Sequence, residues 1–121
     1  IDLFEQNLTD TLRILGPNHP DTLTSRNNLA YAYRSAGKLE QAINLYERNL
    51  ADRERILGPV HPYTLRSRNN LASAYQDAGR LEQAINLFEQ NLADQLRILG
   101  PNHPWTTLFR DNLARAREAR N

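Results

Sequence analysis

An all-α solenoid of stacked helix-turn-helix units is the fold this sequence predicts, and three observations predict it. The string Arg-Ile-Leu-Gly-Pro recurs at 13–17, 55–59 and 97–101, a spacing of 42 residues. Residues 21–62 and 63–104 are identical at 31 of 42 positions. Apolar residues recur within each unit at helical spacing, and no strand alternation competes with them. A fixed period of this length marks a repeat array, in which each unit buries its apolar face only against its neighbours. The phase predicts a half repeat at 1–20, full repeats at 21–62 and 63–104, and a C-terminal half repeat or cap at 105–121. Six helices follow, in the order B-A-B-A-B-A, wound as a right-handed superhelix.

The first helix of a unit (A) spans about 21–36, with Leu29, Ala30 and Tyr33 on one face. Gly37 ends it, where a left-handed residue costs glycine least. The second helix (B) runs over 39–57 through Ala42, Ile43, Tyr46, Leu50 and Leu57, and Gly58-Pro59 stops it. Arg55 lies in its last turn, where a cation suits the helix dipole. Pro62 opens the next A helix at no cost in hydrogen bonds. In the half units, Ile1, Phe4 and Leu8 copy core positions of a B helix. Arg110, Asn112, Leu113 and Ala114 copy an A helix.

Composition excludes several functions. The 15 basic and 14 acidic residues leave a net charge of +1, without the concentrated basic face that nucleic acid or an anionic membrane needs. There are no cysteines, hence no disulfides or thiolate chemistry. No apolar run reaches the roughly 18 residues of a membrane span, no signal peptide is visible, and a cytoplasmic location is expected. The chain contains no methionine and opens mid-helix, so it is expected to be a piece of a longer array.

His19, His61 and His103 recur once per unit in Gly-Pro-x-His-Pro. Equivalent atoms of stacked helices lie roughly 10 Å apart, whereas zinc needs ligands at about 2 Å. These residues are therefore expected to shape or cap the turn before helix A. No Ser-His-Asp arrangement and no glycine-rich phosphate loop is present. Neither an enzyme nor a cofactor or metal is expected. Arg26, Arg68 and Arg110 fall on the apolar face of the A helices, and an inward guanidinium must be paired. Asp52 and Glu47, or their copies, are the expected partners.

The pattern resembles the tetratricopeptide repeat. Leu29-Ala30, Tyr33, Gly37, Ala42, Tyr46 and Pro59 fill that family's places, as do Leu71-Ala72, Tyr75, Gly79, Ala84, Phe88 and Pro101 in the next unit. The family's usual period of about 34 residues is exceeded, and the extra residues fall around 52–62. This longer form, with Asn-Asn-Leu-Ala in helix A, looks most like the repeats of kinesin light chain. Similar arrays end bacterial and fungal STAND-type ATPases. One departure is Asn49, Asn91 and Asn7, where the family often has a small residue. A buried amide there must find a partner.

The resemblance implies a protein-interaction scaffold or ligand-sensing module that binds a peptide or protein on the concave face of its A helices. The matching positions are Thr24, Asn27, Tyr31 and Arg34; Arg66, Asn69, Ser73 and Gln76; and Leu108, Asp111, Arg115 and Glu118. Asn28, Asn70 and Asn112 flank them. An asparagine ladder can bracket an extended peptide backbone; alternatively, it bonds between helices and fixes the stacking. Of the residues that grip a C-terminal carboxylate in some relatives, only Asn70 fits. Two other readings are a purely structural or engineered array without a ligand, and an RNA-binding helical repeat, which the near-neutral charge disfavours.

The ends carry their own expectation. Ile1, Phe4 and Leu8 at one end, and Trp105, Leu108 and Phe109 at the other, are candidates for end-to-end self-association or domain exchange, because exposed apolar surface tends to find a partner. Alternatively, the second trio covers the last B helix.

Overall fold

The computed structural model describes residues 1–120, so Asn121, the last residue of the predicted cap, lies outside the described residues. Six helices follow one another: α1 (Asp2–Leu15), α2 (Pro20–Ser35), α3 (Leu39–Leu57), α4 (Pro62–Asp77), α5 (Leu81–Leu99) and α6 (Pro104–Arg120). No strand occurs among the described residues. Each helix packs on the next, and the A-type helices α4 and α6 also touch each other directly. No helix among the described residues is long and apolar enough to cross a membrane.

The turns explain the helix limits. His61 precedes α4 in extended conformation, and its Nδ1 accepts the Tyr63 backbone N–H at 3.1 Å, with Pro62 in the first turn. His19 and His103 receive the N–H of Asp21 and Trp105 in the same way. The three imidazoles are caps in three separate turns. Thr64, fully buried, donates its hydroxyl to the Gly58 carbonyl at 2.8 Å and ties this turn to the end of α3. Past the C-terminus of α4, Gly79 takes φ +79°. Its N–H reaches the Gln76 carbonyl and the Arg80 N–H reaches that of Tyr75, the paired closure that a left-handed residue permits.

The core is a continuous column between helices. Ala30, Ala42, Ile43 and Tyr46 meet Leu71, Ala72, Ala74 and Tyr75, which meet Ala84, Ile85, Phe88, Leu113 and Ala116. Full burial of one such aliphatic or aromatic side chain contributes about 1.5–3 kcal/mol.

Buried polar groups join helix A to helix B in both full units. Arg26 donates to Asn49 Oδ1 at 3.3 Å and to Asp52 Oδ2 at 2.6 Å. Arg68 repeats this with Asn91 at 3.2 Å and Asp94 at 2.9 Å, and also donates to the Pro59 carbonyl. The asparagines complete the set: Asn49 and Asn91 donate to the Leu23 and Leu65 carbonyls. The amide that departs from the family pattern thus has its partners. Burial pushes the Asp52 carboxyl upward, but hydrogen bonds and charges from Arg26 and Arg55 outweigh it and hold the group below its ordinary value. Glu47 serves a different bond, accepting the Tyr75 hydroxyl at 3.1 Å.

Candidate functional site

A cleft lies between α2 and α4, closed below by the end of α3, with a volume of about 480 Å3. Thr24, Asn27 and Asn28 line it from α2, Arg66, Ser67 and Asn70 from α4, and Arg53, Ile56 and Leu57 from α3. Tyr63 stands at the start of α4, with the Arg53 guanidinium 5.4 Å from its ring centre. Such stacking orients a guanidinium without neutralising it.

The electrostatics of this cleft are unbalanced. Among the described residues neither Arg53 nor Arg66 makes an ion pair within 4 Å. Burial, and then the charge of Arg66, lower the pKa of Arg53 from its ordinary value. The Arg53 Nε is buried without a hydrogen-bond partner. A buried donor left unpaired costs about 1–3 kcal/mol. Two like charges therefore line a partly apolar recess.

Of the positions expected to line the groove, Thr24, Asn27, Asn28, Arg66 and Asn70 come together here. The others do not. Arg34 pairs with Asp77 across α2 and α4, Tyr31 is exposed, and Ser73 and Gln76 lie further along α4. Asn69 is buried and accepts from Asn112 at 3.1 Å, and Asn70 donates to Asn27 at 3.0 Å. These pairs tie one A helix to the next. Arg115 bonds Asn112 on its own helix, and Asp111 is exposed.

One expectation about the C-terminal end is corrected. Phe109, a candidate for an exposed apolar patch, is fully buried. Since α6 touches only α5 and α4 appreciably, its ring fills the space between those helices. Trp105 is half-buried, with the Arg66 guanidinium 5.5 Å from its ring centre, and Leu108 alone of the three is well exposed.

The sequence pattern points to the A helices only, and it misses Arg53, Ile56, Leu57, Tyr63 and Ser67. A signal for them exists in the places where near-identical units differ. In the 42-residue register Arg53 corresponds to Gln95, Tyr63 to Trp105, Arg66 to Leu108 and Ser67 to Phe109. The α4–α6 space is filled by Phe109, whereas its counterpart Ser67 leaves the α2–α4 space open.

Stacked A and B helices with a cleft between successive A helices define a helical-repeat solenoid. Comparison with known proteins agrees: the tetratricopeptide repeat model matches residues 1–51, 27–94 and 63–121. The chain belongs to the tetratricopeptide repeat family, whose members are generally protein–protein interaction modules and typically non-catalytic. Among solved structures it is similar to the nearly identical TPR-like repeats of a putative kinesin light chain from Podosopora anserina, at 35% identity and a TM-score of 0.90, covering 98% of this chain and 56% of that one. A singly substituted form of the same repeats matches at 35% identity and a TM-score of 0.88, over 95% of this chain and 54% of that one. BtubC (BKLC) from P. vanneervenii shares the fold at 22% identity and a TM-score of 0.87, covering 98% and 47%. The chain thus spans about half the length of these structures. No curated protein matches it.

Proposed function

We propose that this chain binds an acidic segment of a partner protein in the cleft between α2 and α4. The observation that supports this most is the Arg53–Arg66 pair, which has no ion-pair partner within 4 Å among the described residues. A ligand carboxylate entering the cleft would relieve the repulsion between the two guanidiniums, in the charge-assisted geometry that arginine favours. Ile56, Leu57 and Tyr63 offer apolar contact beside it, and exposed Asn28 is available to a peptide backbone.

The units themselves supply the test variants. Ser67→Phe, Arg66→Leu and Arg53→Gln each import the residue that the next repeat already carries at that position, and circular dichroism checks that each variant stays folded. Peptides selected on the wild-type chain from a random-sequence display library are expected to be rich in Asp and Glu and to lose binding to Ser67→Phe. Selected peptides without acidic enrichment, or equal binding to that variant, would refute the reading. A purely structural array has one observation in its favour, the Asn27–Asn70 and Asn69–Asn112 bonds that tie the A helices together. It expects no selected peptide at all.

A further inference from the structure

The cleft between α2 and α4 carries two cations that the adjoining units lack. In the 42-residue register Arg53 corresponds to Thr11 and Gln95, and Arg66 to Thr24 and Leu108. Both arginines thus arise at the same junction between units, and both line the same cleft. Tyr63 and Arg66 are three residues apart on α4, so they are neighbours on its surface. Arg53 stacks on Tyr63, its guanidinium 5.4 Å from the ring centre, which brings it toward Arg66. The Arg66 guanidinium in turn lies 5.5 Å from the ring centre of Trp105 on α6. Each cation is held at the recess by an aromatic ring, which attracts it without cancelling its charge.

The uncompensated charge has a definite size. No Asp or Glu lines the cleft, and neither arginine has an ion-pair partner within 4 Å among the described residues. One carboxylate neutralises one guanidinium and leaves the other without a partner. A phosphate monoester carries about −1.5 to −2 charge at pH 7 and three strong acceptor oxygens, enough for both. Hydrogen-bond donors stand nearby. Thr24 and Asn28 are exposed on the α2 wall, and the bond from Asn70 to Asn27 Oδ1 leaves the Asn27 amide donors without an acceptor among the described residues.

We infer that the anionic group this cleft takes is a phosphate on a side chain of the partner segment, held between the Arg53 and Arg66 guanidiniums. The inference rests on the acidic-segment reading and narrows it: phosphorylation of the partner strengthens its attachment. A planar guanidinium gives two parallel N–H bonds to phosphate oxygens. The Arg53 Nε is buried, so that side chain donates from its terminal nitrogens. Ile56 and Leu57 meet the apolar part of the segment beside the phosphate. Removing the phosphate returns two like charges to the recess, so the partner's modification state sets its affinity.

The test starts from one acidic peptide selected on the wild-type chain and free of tryptophan. It is remade with phosphoserine at each Asp or Glu in turn, and with serine as the unphosphorylated control. Binding is followed by the emission of Trp105, the single tryptophan of the chain, which its contact with Arg66 places beside the cleft. At one position phosphoserine is expected to bind about tenfold tighter than the carboxylate it replaces, as one added charge-assisted bond gives. That gain is expected to vanish in Arg66→Leu and in Arg53→Gln, with circular dichroism checking their helices. If a variant fails to fold, the comparison on wild type still decides. A parent peptide that binds while no phosphoserine form binds tighter overturns this inference and leaves the acidic-segment reading standing. A parent peptide that does not bind overturns both. A gain that survives both substitutions overturns the inference, because the phosphate is then held elsewhere. Equal affinity for free O-phosphoserine or for a short single-stranded RNA overturns it as well, because the phosphate then comes from another source.

Discussion

Replacing Asp94 with alanine takes one partner from Arg68 and leaves the guanidinium in place, 3% exposed. Of its three acceptors, only two neutral ones remain, Asn91 Oδ1 and the Pro59 carbonyl. Breaking one side of a buried pair costs about 3–5 kcal/mol. The Asp94 side chain is 21% exposed, so water can reach part of the vacated site, and the lower end, about 3 kcal/mol, is expected. At roughly 4 °C per kcal/mol for a domain of this size, the melting temperature should fall by about 12 °C. Urea unfolding followed by circular dichroism measures the change directly. The control is Glu40→Ala, whose pair with Arg80 is 67% and 40% exposed and contributes about 0–1 kcal/mol. If both variants lose the same small amount, the cluster does not hold helix A to helix B. Charge reversal at Arg68 should cost still more than Asp94→Ala, because it sets a second carboxylate against the first.

Three further outcomes follow from the same geometry. Gly58, at φ 95° and ψ 160°, occupies a region nearly closed to other residues, whereas Gly79 sits at the end of a helix where Asn is tolerated. Equilibrium unfolding should therefore show Gly58→Ala losing about 1–3 kcal/mol and Gly79→Asn clearly less, since no neighbouring atom obstructs a Cβ at either position. Because the Asp52 pKa is depressed, its contribution to stability is complete above the unfolded value of about 3.9. It is lost as pH falls through the lower folded value. Unfolding midpoints should stay flat in this respect at neutral pH and decline only in strong acid, less so in Asp52→Asn. Burial pushes the Tyr46 hydroxyl up to about 12, so the corresponding stability is complete below the unfolded value of about 10 and is lost as pH rises toward the folded value. Tyr46→Phe should change stability at neutral pH little, since Phe88 fills the same place in the next unit, and should remove that alkaline loss.

Much of the fold is legible because repetition supplies its own control. Gly58-Pro59 and His61-Pro62 mark one turn, and the same marks at 42-residue spacing fix the helices within a residue or so. The pairing of Arg26 with Asp52 is also readable, because the cost of a lone buried charge forces a partner onto the adjoining helix. The site is less legible. Register tells which residues are equivalent, but a cleft depends on whether a side chain fills the space between units, and one residue decides this. Ser67 and Phe109 are the same position, yet one leaves a cavity and the other fills it. Arg53 escapes the pattern for a related reason: it belongs to a B helix, and only the lengthened end of α3 carries it under the A helices. The asparagine ladder is open to two readings in the sequence, since an amide serves a peptide or a neighbouring helix equally well. Asn27 and Asn70 bond each other while still lining the cleft, so each carries part of both.

Whether the opening left by Ser67, lined by Arg53 and Arg66, receives a carboxylate from a partner protein is tested most directly by calorimetry. One selected acidic peptide, and the same peptide with its acids changed to amides, would be titrated into wild type and into Ser67→Phe. Measurable heat is expected for the acidic peptide on wild type alone, with binding weakened by added salt and Ser67→Phe still folded and helical. Equal binding of both peptides, or undiminished binding by the filled variant, would contradict the proposed role of the cleft.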